Sequence, residues 1–335
     1  MIKILFRTAG GRAKGEELGL GHIYRSINLA KSLKQNKIYF LLEDFGGAKE
    51  ILVKNGFSKI INIKNNIANS QDYKETELQI KRLDIDMVIV DRYKISKSYV
   101  KKLSKKNKVV VISDLNDISF DSDLIVNGFI GFKNKIIKNE FGSKCIVGPN
   151  FQILEKQFFG KKKINSQKYD LLISFGGFDE KNIIGIITEI LPFYLDKLKV
   201  EIILGPVNRK KRKLYNLQKK YPKNLFIKES TNDMAKEMDK TKYGLCSGGL
   251  TTYEFVSKGI PIGIIPDDNH QIITAKHWQK LGFAKNLGIV NKATREKVDQ
   301  FLREIHQGKF LPKNKKIIVD GNGVNRVSNE ILKIK

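Results

Sequence analysis

The residues with the most chemistry in them lie at a few glycine-rich junctions. Gly19-Leu20-Gly21-His22-Ile23-Tyr24-Arg25 sets an imidazole directly behind two glycines, at the mouth of a helix expected over Ile23 to Leu33. A histidine so placed can take a proton from water or from a hydroxyl near neutral pH. The chain has four histidines, His22, His270, His277 and His306, so few side chains of this kind are available. The plainer reading of His22 is a helix-capping residue that holds the loop. Glycines at such a junction let backbone N–H groups approach a ligand at the C-terminal edge of a sheet, which makes Gly19, Gly21 and Arg25 candidate substrate contacts. The run before them, Arg7-Thr8-Ala9-Gly10-Gly11, reads as a polar loop and offers Arg7 as another.

Three further junctions follow. Ile173-Ser174-Phe175-Gly176-Gly177 ends a strand in two glycines, which alone describes a tight turn into a helix; Gly176 and Gly177 are nonetheless placed to face a ligand. Ser247-Gly248-Gly249-Leu250-Thr251-Thr252-Tyr253-Glu254 gathers small and hydroxyl residues at a helix N-terminus, where free N–H groups and the dipole suit a diphosphate. Ser247, Gly248, Gly249, Thr251 and Thr252 are the candidate contacts, and Glu254, a turn further in, can accept hydrogen bonds from ribose hydroxyls. Pro266-Asp267-Asp268-Asn269-His270-Gln271 forms the last polar junction. Its plain reading is a helix cap; its functional reading puts Asn269, His270 and Gln271 against a sugar. The third glycine of a dinucleotide fingerprint is missing after the first strand, and Glu43-Asp44 is a poor substitute for its acidic partner, so NAD is disfavoured.

The elements that must position these residues are short β-branched runs, each followed by a helical segment, the pattern of an α/β fold built from parallel βαβ units. Strands are expected at Ile2 to Phe6, Ile38 to Leu42, Ile60 to Ile63, Met87 to Asp91, Val109 to Ser113 and Leu124 to Val126. Helices are expected near Ile23 to Leu33, Ala48 to Asn55, Lys74 to Leu83 and Ser96 to Lys105. A second series starts at Tyr169 to Ser174 and continues at Val200 to Leu204, Leu225 to Ile227, Tyr243 to Cys246 and Ile262 to Ile265. The lysine-rich stretch Gly160 to Lys168 separates the two as a linker. The expected division is 1–158, 168–320 and a terminal helix over 321–335 that packs back on the first domain.

Composition narrows the function classes. A chain of 335 residues can bury two cores of roughly 150 residues each. The formal charge of +27 raises the question of nucleic acid. Only 10 of the 62 basic residues are Arg, however, and the lysines are scattered in short groups without a helix-turn-helix, RNP or zinc-finger motif, so they read as a solvated surface. Two cysteines, Cys145 and Cys246, lack neighbours at metal-ligand spacing; no metal and no cofactor is expected. No stretch approaches the ~20 apolar residues of a membrane helix. The expectation is a cytoplasmic enzyme; nothing in the pattern sets an oligomeric state.

Taken in order, these motifs resemble the family of UDP-sugar hydrolases of pseudaminic acid biosynthesis (PseG), with its spore-coat polysaccharide relatives and its fold kinship to MurG-type glycosyltransferases. The resemblance runs nearly end to end. It is carried by Gly19-x-Gly21-His22-x-x-Arg25, Val90-Asp91-Arg92-Tyr93, Val147-Gly148-Pro149, Ser174-Phe175-Gly176-Gly177-x-Asp179, Leu204-Gly205-Pro206, Ser247-Gly248-Gly249-x-Thr251-Thr252-x-Glu254 and Asp320-Gly321-x-Gly323-x-x-Arg326-Val327. It implies a GT-B fold of two Rossmann-like domains facing a central cleft. It also implies a UDP-sugar substrate, His22 as the water-activating catalytic residue, Tyr93 as a second catalytic residue near the sugar, Asp91 as a substrate contact, and hydrolysis of a UDP-2,4-diacetamido-2,4,6-trideoxyhexose to free sugar and UDP. The alternative it allows is a MurG-like glycosyltransferase in which an acceptor hydroxyl replaces water. The chain departs from the family pattern at Ala9, where a carboxylate is usual, at Arg92 in place of histidine, at Glu155 in place of arginine, and in the spacing of Asn269-His270-Gln271.

Overall fold

The structure, a computed structural model, describes residues 1–13, 16–160, 168–176, 181–205, 211–311, 313–314 and 318–334. The chain divides into two compact units. Unit 1 comprises Met1–Lys156 with Gly321–Lys335, and unit 2 comprises Gln157–Asp320.

The sheet of unit 1 is built on β1 (Lys3–Ala13), β3 (Lys37–Asp44), β4 (Ile60–Ile63), β5 (Met87–Asp91), β6 (Lys108–Ile112), β7 (Leu124–Asn127), β8 (Lys135–Lys138) and β9 (Lys144–Val147). Their order is β4-β3-β1-β5-β6-β7-β9-β8, parallel except where β8 runs against β9. The helices α1 (Gly21–Ser32), α2 (Ala48–Lys54), α3 (Asn69–Leu83), α4 (Lys97–Ser104) and α11 (Gly323–Ile331) complete the unit. Parallel strands covered on both faces must be apolar throughout rather than alternately. Accordingly β5 is buried at every position. Ile4, Phe6, Phe40, Leu42 and Ile89 pack toward Ile23 and Ile27 of α1, and the alternate residues Leu5, Leu41, Val88 and Val90 pack toward Tyr99, Val100 and Leu103 of α4. The lysines at both ends of β8, an edge strand, discourage further pairing.

From β1 the strand order steps to β3 and β4 on one side and to β5 and β6 on the other. The C-terminal ends of β1 and β5 therefore bound a topological switch point, where open α/β sheets bind ligands.

Unit 2 repeats the plan with β10 (Tyr169–Ser174), β11 (Val200–Ile203), β12 (Leu225–Lys228), β13 (Thr241–Cys246), β14 (Ile262–Ile264) and β15 (Ala284–Asn286), in the order β12-β11-β10-β13-β14-β15 and all parallel. Its helices are α5 (Ile183–Ile190), α6 (Lys211–Lys220), α7 (Met234–Asp239), α8 (Leu250–Ser257), α9 (Asn269–Lys280) and α10 (Thr294–His306). The switch point here lies between β10 and β13.

The structure departs from the sequence expectation in three places. The run Arg7 to Gly11 is not a loop: β1 continues through it to Ala13 and returns as β2 (Glu16–Gly19), with a register shift at Gly11/Arg12. The polar residues at Arg7 and Thr8 hid a strand because they are buried polar groups of a central strand. The strands β8, β9 and β15 were not foreseen; runs of three or four residues that include lysine carry too little pattern. Of the expected linker, 161–167 lie outside the described residues, and the division falls earlier, since the Gln157 side-chain carbonyl already accepts the Ala235 N–H of unit 2 at 3.4 Å.

The last helix, α11, buries Val324, Val327 and Ile331 in the same core as Ile23 and Ile27. Arg326 donates to the Asn150 carbonyl at 3.1 Å. At Gly323 an added Cβ would lie 2.0 Å from the Gln152 carbonyl oxygen, an approach that only glycine permits without a backbone shift. Gly→Ala inside a helix ordinarily stabilises by up to about 1 kcal/mol. Gly323→Ala is expected to do the opposite, destabilising by about 1–3 kcal/mol in urea unfolding. A neutral or stabilising result would contradict this docking.

Candidate active site

At the switch point of unit 1, His22 occupies the first turn of α1 and Asp91 ends β5. The imidazole Nδ1 lies 2.8 Å from Asp91 Oδ1. Arg25 Nη2 lies 3.1 Å from the same nitrogen. In the tautomer whose Nδ1–H donates to the carboxylate, which only accepts, the Nε2 lone pair is the one that can take a proton. The His22 side chain keeps 14 % of its exposure, whereas the Asp91 side chain has none.

A buried charge needs a partner. Arg25, one turn along α1 from His22, supplies it: Nη2 donates to Asp91 Oδ1 at 2.6 Å and Nε to Oδ2 at 3.0 Å. Ser26 Oγ adds a bond to Oδ2 at 3.3 Å. Arg25 is fixed in turn by Asp114 beyond the end of β6, with Nη1 to Oδ1 at 2.6 Å and Nη2 to Oδ2 at 3.1 Å. Burial pushes the Asp91 carboxyl up, but Arg25 and the His22 N–H outweigh it and hold the group below the usual carboxylate range. Burial likewise opposes the charged form of Arg25, and Asp114 and Asp91 hold it well above its ordinary value.

The other face of the same sheet edge carries a second ionic cluster. Arg7 is fully buried; its Nε and Nη2 donate to Asp72 at 2.8 and 3.0 Å, and Nη2 also to Glu43 at 2.6 Å. Arg92 binds the same Asp72 and reaches Glu43 at 3.3 Å. Thr76 Oγ1 bonds Asp72 at 3.3 Å and meets the Tyr99 hydroxyl at 2.9 Å. Burial and the adjacent Arg7 charge pull the Arg92 guanidinium below its ordinary value.

Several expected contacts take other roles. Arg7, Arg25 and Asp91, expected as substrate contacts, are buried and held by the ion pairs above. Tyr93, read as catalytic, is exposed just past β5 beneath the Lys94 ammonium, 5.3 Å from the ring centroid. Gly19 has a positive φ of 69°, and at Gly19 and Gly21 no atom stands within 4 Å of an added Cβ. Asp114, Ser26, Glu43 and Asp72 were not foreseen. The signal available for Asp114 and Glu43 was position alone: each is a carboxylate near the C-terminal end of a strand.

In unit 2, Gly248, Gly249 and the start of α8 lie at the switch point beside Gly176, whose φ is +66°. Gly177 lies outside the described residues. Gly249 is the N-cap of α8, and among the described residues no side chain caps it, which leaves the first amides of that helix to other acceptors. Thr252 was expected to hold substrate. It is instead fully buried, donating to the Gly249 carbonyl at 2.8 Å and accepting from Trp278 Nε1 at 3.0 Å. Ser247 is also buried; Thr251 and Glu254 are half-buried. Burial, with the nearby Glu254 and Asp267 charges, pushes the Cys246 thiol well up, leaving it inert. Asn269 and His270 open α9, capped by the Asp268 side chain, which accepts from the Gln271 N–H at 2.8 Å.

No family model matches the sequence. Among curated proteins, SpsG, a spore coat polysaccharide biosynthesis protein of Bacillus subtilis, is 25% identical over 329 residues, 94% of each chain. The UDP-2,4-diacetamido-2,4,6-trideoxy-β-L-altropyranose hydrolase of Campylobacter jejuni is 25% identical over 252 residues, 72% of this chain and 82% of that one. The chain is similar to the PseG and SpsG family. An uncharacterized protein of Methanocaldococcus jannaschii, MJ1062, is 28% identical over 265 residues; the match takes in 74% of this chain and 53%, about half, of that protein's length. Among solved structures, Acinetobacter baumannii MurG superposes with a TM-score of 0.66 at 17% identity, covering 99% of this chain and 100% of that one. The Staphylococcus aureus MnaA–UDP co-structure superposes at 0.62 and 13% identity, covering 99% and 96%. The fold is GT-B.

The Arg25–Asp91 pair sets a stability prediction. Arg25→Met leaves a buried carboxylate without its cation and is expected to destabilise unit 1 by about 3–5 kcal/mol at pH 7. Because the folded pKa of Asp91 is depressed, its stabilisation is complete above the ordinary carboxylate range and is lost as pH falls through the folded value. The gap between wild type and Arg25→Met in urea unfolding should therefore narrow below about pH 4. A gap independent of pH would remove Asp91 as its source.

Proposed function

We propose that this protein hydrolyses a UDP-activated amino sugar of the 2,4-diacetamido-2,4,6-trideoxyhexose type at its anomeric carbon, in nonulosonic acid or surface polysaccharide biosynthesis in the cytoplasm. The observation that carries the reading is the His22 imidazole, held through Nδ1 by Asp91 at a sheet switch point. The likeness to the C. jejuni hydrolase supports the substrate class, and the likeness to SpsG supports the polysaccharide setting.

In this reaction a water oxygen attacks C1 while His22 Nε2 takes one of its protons. The C1–O bond to the diphosphate breaks, and UDP leaves with the bonding electron pair. Asp91, kept ionised by Arg25, stabilises the imidazolium that forms. The leaving diphosphate gains charge, and the start of α8 behind Gly249, which has no side chain to cap it, suits that charge. Glu254 is assigned to the ribose, and Tyr93, together with Asn269 and His270, to the sugar. A transferase of the same fold would use the same base on an acceptor hydroxyl instead of water.

The test is turnover of UDP-2,4-diacetamido-2,4,6-trideoxy-β-L-altropyranose in ¹⁸O-labelled water, followed by NMR and mass spectrometry. The label is expected at C1 of the free sugar, and His22→Ala is expected to lower kcat by about 10²- to 10⁴-fold. Label in the UDP instead would mean P–O cleavage and defeat the mechanism. UDP release only on addition of a sugar acceptor would make the protein a glycosyltransferase.

A further inference from the structure

We propose that Gln271 is a positioning residue for the nucleotide-holding edge of unit 2: it sets the backbone at Gly248, and through it the start of α8, without itself contacting the sugar. The inference rests on the assignment of that edge to the UDP diphosphate.

The Gln271 side-chain carbonyl is occupied twice. It accepts the Gly248 N–H at 2.7 Å and the Asp267 N–H at 3.1 Å. Gly248 belongs to the junction after β13 and Asp267 to the junction after β14, so one oxygen ties together two neighbouring loops at the C-terminal edge of the sheet. On the far side, Lys181, which follows β10, donates to the Asp267 backbone carbonyl. Three successive junctions of the unit are thereby linked through Asp267 and Gln271.

The packing is as close as the bonding. A Cβ at Gly248 would lie 2.7 Å from Gln271 Cβ and 2.8 Å from the Gln271 carbonyl oxygen. Glycine at 248 is required because the α9 backbone presses against it, and the position of α9 therefore fixes where the α8 amides point. An amide at 271 also suits its surroundings better than a carboxylate. Its Nε2 lies 3.4 Å from Asp267 Oδ2, where a second negative oxygen would be repelled. With its carbonyl bridging two amides and its NH2 facing Asp267, the Gln271 head group is committed within the protein.

A sugar contact and a positioning residue make different predictions for ligands with and without a sugar. Isothermal titration with UDP and with UDP-GlcNAc is to be run on wild type and on Gln271→Met, which keeps the length and loses the acceptor. Gly248→Ala, which crowds the same contact from the other side, is the second variant. Both variants are expected to weaken UDP and UDP-GlcNAc by the same factor, about tenfold, with the thermal transition still cooperative. UDP affinity unchanged in a folded Gln271→Met, or UDP-GlcNAc weakened while UDP is not, would overturn the inference and make Gln271 at most a sugar contact. Wild-type protein that binds no UDP would overturn the nucleotide reading, and this inference with it.

Discussion

The feature on which unit 1 depends is a carboxylate without access to water at the end of its central strand. Asp91 is buried because β5 is covered on both faces, and a buried anion persists only beside a cation that cannot readily lose its proton. Arg25 meets that need with a forked pair of bonds. Because Arg25 and His22 stand one turn apart on α1, the cation that keeps Asp91 charged also fixes the helix that carries the imidazole. Asp114 closes the arrangement from the next strand. Much of the local geometry follows from this: glycines before α1 so that the helix can start close to the sheet, and a strand-end aspartate on each side of Arg25.

The pattern of β-branched runs made the α/β class and most strand positions legible, because parallel strands buried on both faces are largely apolar. β4, β5 and β10 begin and end at the residues the sequence pattern marks. His22 and the glycines around it were legible as candidates because an imidazole behind two glycines at a helix start joins a titratable ring to open backbone. What stayed hidden was the pairing of charges. Arg7 looks like a loop residue until Asp72, sixty-five positions away on α3, is placed beside it. Thr252 looks like a ligand contact until Trp278 is found bonded to its hydroxyl. Such pairings depend on which side of a strand or helix each residue faces, information that exists only once the elements are packed.

The two ionic clusters of unit 1 show the period of a strand applied to function. Asp91 and Arg92 are consecutive, so their side chains leave opposite faces of the sheet. One joins the His22 cluster; the other joins Arg7, Glu43 and Asp72. Arg92, where the resembled family carries histidine, is thus turned onto carboxylates on the face away from His22. Tyr93, the next residue, is the first of the run to be exposed.

The return of the chain to unit 1 has a consequence for how the protein is made. Residues 321–334 leave the ribosome after all of unit 2, yet α11 supplies Val324, Val327 and Ile331 to the core that also holds Ile23 and Ile27. Unit 2 is contiguous and can condense as it emerges, whereas unit 1 keeps the apolar groove along α1 open until residues 321–334 have been made. At about 5–20 residues per second, synthesis of the stretch from Gln157 to Asp320 takes roughly ten to thirty seconds, a window in which Ile23 and Ile27 lack their α11 partners.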